Sequence, residues 1–97
     1  MNRVVWSPQA LHDLQSVRDY IAQDSPTYAT LVVQRIVAAV ERLASFPESG
    51  RVVPELQRAD VREVVHRPFR VVYRVRQEAV EIATVFRASR LFPGLPG

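Results

Sequence analysis

The hydrophobic period of this chain changes partway along, and that change limits the folds open to it. Before Pro47 apolar residues recur every three or four positions, whereas beyond Gly50 they alternate. A period near 3.6 belongs to helices that bury one face, and a period of two belongs to strands. Helices followed by strands make an α+β domain, and 97 residues suffice for one core.

The punctuation supports that division. Val4-Val5-Trp6 is short, β-branched and aromatic, as a first strand should be. Ser7-Pro8 follows, with serine as N-cap and proline where its missing N–H costs nothing. Leu11, Leu14, Val17 and Ile21 then predict a helix from about Pro8 to Ala22. Ser25-Pro26 repeats the start signal. Ala29, Val33, Ile36, Val37, Val40, Leu43 and Ala44 predict a second helix ending near Phe46, before Pro47. The short link makes the two an antiparallel hairpin.

Pro47-Glu48-Ser49-Gly50 is turn chemistry. Val52-Val53 opens a short edge strand beside Pro54, and Val61 to His66, Phe69 to Arg76 and Ala79 to Arg87 are the main strands. Pairing Val75 with Val80 sets Tyr73 across from Ile82, Phe69 across from Phe86 and Arg74 across from Glu81. It leaves Arg70 across from Val85, without a carboxylate, and turns Val80, Ile82, Thr84 and Phe86 inward. The expected order is β-α-α-β-β-β, a strand and a helical hairpin packed on a small, mainly antiparallel sheet. Residues 1–90 form a single domain, and residues 91–97, rich in proline and glycine, are expected to be a flexible tail.

Composition excludes several functions. The absence of cysteine removes disulfide scaffolds, thiolate metal sites and cysteine nucleophiles. With only His12 and His66, no metal or cofactor site is expected. No apolar run reaches the roughly 18 residues of a membrane span, and Met1 to Trp6 holds no signal-peptide core, so no membrane contact and a cytoplasmic location are expected. All 13 basic residues are arginine. Residues 1–50 carry a net charge of −1 and residues 51–97 a net charge of +4, a basic surface suited to nucleic acid or an acidic protein.

The segments Ser7-Pro8-Gln9-Ala10, Tyr20-Ile21-Ala22 and Pro47-Glu48-Ser49-Gly50-Arg51, with the strand Phe69-Arg70-Val71-Val72-Tyr73-Arg74-Val75 and the last strand Val80 to Phe86, resemble the RelE/ParE superfamily of bacterial toxins. The resemblance covers about residues 3–90. It implies the toxin of a type II toxin–antitoxin pair, causing growth arrest until a cognate antitoxin binds it in a hetero-oligomer; such pairs serve plasmid stabilisation. ParE-like members act on DNA gyrase without a hydrolytic site, whereas RelE-like members cut mRNA on the ribosome.

RNA cleavage through the 2′-OH needs groups that take and give protons. The resemblance places Arg70 at the family's strand arginine and Arg62 near its strand lysines. Phe86-Arg87-Ala88-Ser89-Arg90-Leu91-Phe92 lacks the tyrosine or histidine that RNases of this kind carry near the C-terminus. A guanidinium clamps anions but is a poor proton shuttle. The leading reading is therefore a ParE-like gyrase inhibitor without catalytic residues, in which Arg62, Arg67, Arg70, Arg87 and Arg90 meet a partner. The enzymatic alternative is a RelE-like endoribonuclease using Arg70 with His66, and a third reading is a non-toxic remnant that binds antitoxin. Tyr20 and Tyr28 are partly exposed candidates for partner contact, and Trp6 and Tyr73 are core.

Overall fold

In the computed structural model, which describes residues 1–95, both serine caps form as the sequence predicts. The Ser7 hydroxyl accepts from the Ala10 amide at 3.0 Å, and the Ser25 hydroxyl from the Tyr28 amide at 3.1 Å. They open helices α1 (Pro8–Ala22) and α2 (Pro26–Glu41) after strand β1 (Arg3–Trp6). The second helix stops short of Phe46: from Arg42 to Ala44 the chain tightens into a 3-10 turn ahead of Pro47.

The strands are β2 (Arg51–Val52), β3 (Val61–His66), β4 (Phe69–Arg76) and β5 (Ala79–Arg87). They form one sheet in the order β1-β5-β4-β3-β2. Only the β1–β5 pair is parallel, with Arg3 beside Ala79 and Trp6 beside Ile82. The α+β architecture expected from the sequence is therefore present, with the two-residue β2 at one edge and β1 at the other. Between β4 and β5, Gln77 and Glu78 make a two-residue turn, with Glu78 at a φ of 61°, a left-handed position that glycine more often fills.

The helical hairpin covers one face. Val17 from α1 and Val32, Ile36 and Val40 from α2 meet Val71, Tyr73 and Ile82 from the sheet. The buried stripe of α1 is Ala10, Leu14, Val17 and Ile21; Leu11, expected inside, is 53% exposed. On α2, Val32 rather than Val33 is fully buried. Each helix is thus rotated slightly from the face that residue size alone predicts, which lets small Ala10 approach the sheet.

The opposite face carries a second cluster of Val53, Val61, Val72 and Phe86. Phe92 and Leu95 pack against it, so the described part of the expected tail, residues 91–95, lies along the domain. Residues 96–97 of that tail lie outside the described residues.

One register differs from expectation. Val75–Val80, Arg74–Glu81 and Tyr73–Ile82 pair as predicted, but an irregularity between Val72 and Tyr73 shifts every later pair. Phe69 lies beside Arg87, and Arg70 beside Phe86. Val85 therefore joins the helix-side cluster, while Phe86 turns to the other face. Residues of α1 and its cap hold the shifted segment. Ser7 donates its hydroxyl to the Ala83 carbonyl at 2.9 Å, and the Asp13 carboxylate accepts from the Thr84 hydroxyl at 2.6 Å and the Val85 amide at 3.0 Å.

Candidate partner-binding site

The shifted register decides what Arg70 does. Its side chain lies on the face away from the helices, with the guanidinium 5.0 Å from the Phe86 ring centre and 5.9 Å from that of Phe92. It is not without a carboxylate. Its Nε donates to Glu63 at 2.6 Å, and its two terminal nitrogens donate in parallel to both oxygens of Glu55, each at 2.8 Å. Glu63 also accepts from Arg51. The two carboxylates raise the pKa of Arg70, and the Arg70 hydrogen bonds pull Glu55 down to about 2. The expected register missed this network because Glu55 comes from a loop and Glu63 from β3.

Arg62 is also occupied. Its guanidinium donates to the carbonyls of Ala59, Glu48 and Gly50, at 3.0, 3.3 and 3.0 Å, and so fixes the entry into β2. The same corner depends on close packing: the buried Tyr73 hydroxyl accepts from the Gly50 amide at 3.0 Å, and a Cβ at Gly50 would lie 2.5 Å from the Glu63 carbonyl oxygen.

Two further acids of the sheet half, Asp60 and Glu81, are also engaged. Arg58 pairs with Asp60 at 2.8 Å, and Glu81 holds Arg74 at 2.7 Å as predicted, with Arg76 at 3.6 Å. Of the five arginines expected at a partner surface, Arg67, Arg87 and Arg90 are exposed and meet no carboxylate among the described residues.

These three gather at one end of the molecule, around two concavities. Between α1 and β5 runs a cleft of about 600 Å³ whose lining includes Val17, Tyr20, Phe69, Arg87 and Arg90. His12, exposed at the surface, also reaches it. Beside it, a basin of about 480 Å³ includes Arg51, Val65, Arg67, Pro68 and Arg87. Arg87 belongs to both, and its guanidinium lies 5.5 Å from the Tyr20 ring centre and 5.9 Å from that of Phe69. Tyr20 is 60% exposed and Tyr28 52%, as the sequence predicts.

The pair proposed for RNA cleavage does not converge. His66 lies beside Phe69, which packs under the helices, whereas Arg70 lies beside Val65 on the other face. The basin lining contains no histidine, lysine or tyrosine. Among the described residues no cluster of three or more His, Cys, Asp or Glu is placed to hold a metal, and no helix is long and apolar enough to cross a membrane.

A helical hairpin on one face of a five-stranded sheet is an architecture this chain shares with solved structures. The chain superposes on one from the solved "Chromosomal ParDE TA system from P. aeruginosa" with a TM-score of 0.74 and 29% identity, over 90% of this chain and 96% of that one. It shares its fold with the YoeB dimer from Staphylococcus aureus, with a TM-score of 0.59 and 17% identity, over 86% and 92% of the two chains.

Sequence comparison narrows this class. "Toxin RelE2" of Caulobacter vibrioides is 41% identical over 92 residues, covering 94% of this chain and 100% of the relative. "Putative toxin Y4kP" of Sinorhizobium fredii is 38% identical over 96 residues, covering 94% and 93%. Residues 4–92 match the family described as ParE toxin of type II toxin-antitoxin system, parDE, and the chain belongs to that family.

Proposed function

We propose that this toxin inhibits DNA gyrase by binding, without hydrolytic chemistry of its own, and that a cognate antitoxin neutralises it. The observation that carries the first part is the occupation of Arg70. A guanidinium tied to two carboxylates and stacked on Phe86 is committed to the fold, and the basin beside it offers no group able to exchange protons near neutral pH. His66, the histidine of the enzymatic alternative, lies on the opposite face of the sheet from Arg70.

The antitoxin reading rests on the cleft between α1 and β5. Val17, Phe69 and Tyr20 supply apolar contacts, and Arg87 and Arg90 stand at its border. An amphipathic antitoxin segment with acidic residues beside its apolar stripe matches that pattern, folding as it binds.

Gyrase supercoiling with purified toxin is the test. Loss of supercoiling with accumulation of cleaved DNA supports the reading. Unaffected gyrase at high toxin excess, with mRNA cut in a reconstituted translation system, overturns it. Replacing His66 by alanine should leave growth arrest intact.

A further inference from the structure

Residues 51–97 hold nine arginines and five acidic residues, yet the surplus charge is not spread evenly. The network of Arg51, Glu63, Arg70 and Glu55 is neutral as a unit. The free positive charge of the basin therefore comes from Arg67 and Arg87, both exposed. We propose that this basin binds the phosphodiester backbone of nucleic acid; resting on the gyrase reading, the natural ligand is duplex DNA held by the enzyme.

Three features favour a phosphate chain. A guanidinium is a planar fork that matches phosphate oxygens, and Arg87 is held in place by the rings of Tyr20 and Phe69, so less freedom is lost when it binds. Val65 is 43% exposed beside Pro68, a small apolar surface suited to sugar edges but short of the anchors an acidic peptide needs. Those anchors lie in the neighbouring cleft. Finally, the lining has no proton-transfer group, so a bound backbone stays intact.

The test is fluorescence anisotropy of a short labelled DNA duplex with the full chain across a salt series. The double variant Arg67→Gln, Arg87→Gln should weaken binding about tenfold or more and flatten the slope of log affinity against log salt by about 1.8, the value for two phosphate contacts. Arg67→Lys with Arg87→Lys should keep most of that slope. Arg58→Gln, away from the basin, should change neither quantity, and equal melting temperatures confirm that the variants fold. Unchanged duplex binding by the double glutamine variant overturns the proposal. So does a polyglutamate peptide that binds better than the duplex through the same two arginines, which would make the basin a protein-docking surface. Single-stranded RNA bound through these arginines while duplex DNA is ignored supports the phosphodiester site and counts against gyrase. Duplex binding as expected with gyrase unaffected overturns the gyrase reading alone.

Discussion

Glu63 is a carboxylate with no exposed side-chain surface, held between Arg51 and Arg70. Removing Arg70 leaves the fully buried Glu63 with Arg51 as its remaining partner, so Arg70→Ala should cost about 3 kcal/mol of stability in urea unfolding. Replacing the network by apolar residues of similar volume should cost far less, because the ions themselves were expensive to bury. Glu55 carries the pH dependence. Its folded pKa of about 2 lies below its ordinary value of 4.5, so its contribution is complete above pH 4.5 and is lost as pH falls towards 2. Glu81, lowered by its hydrogen bond to Arg74, acts in the same direction. Unfolding midpoints should fall over that acid range, and Glu55→Gln should flatten the fall. The exposed position of Glu55 keeps its share modest. At Gly50, alanine would press on the Glu63 backbone and on the hydroxyl of the fully buried Tyr73, and about 1–3 kcal/mol of destabilisation is expected in the same assay.

The elements divide into those with local signals and those without. Helix starts, the short first strand and the three main strands were legible because serine caps, proline positions and alternation act within a few residues. The shift in register after Tyr73 was not. No glycine marks it, and its support comes from Ser7 and Asp13, some seventy positions away in sequence. That one shift carried two errors, the partner of Phe69 and the facing of Phe86, while the apparent isolation of Arg70 came from partners on other elements. The candidate site was half legible for the same reason. Arg67, Arg87 and Arg90 are where a basic surface was expected, while Arg62 and Arg70 are taken up by groups from other elements. Asp13→Ala removes two hydrogen bonds between α1 and β5 and leaves the Val85 amide without its acceptor. It should cost about 1–3 kcal/mol and speed hydrogen exchange at Val85 well before exchange in α2 changes.

For the whole molecule, the sheet has two covered faces of unequal thickness. Helices cover one, and the other is closed by Phe92 and Leu95 over Val53, Val61, Val72 and Phe86. A chain ending at Leu91 should lose about 2 kcal/mol and bind a hydrophobic dye, since Phe86 and Arg70 both lose the Phe92 ring. The parallel pairing of β1 with β5 has a different consequence. Residues 3–6 have no strand to join until residues 79–82 exist. On the ribosome the opening segment must wait until residue 82 has been made, and a shorter chain can yield helices and a hairpin but not the β1 edge of the sheet. Only chains made past that point can assemble all five strands, an order of events written into the topology.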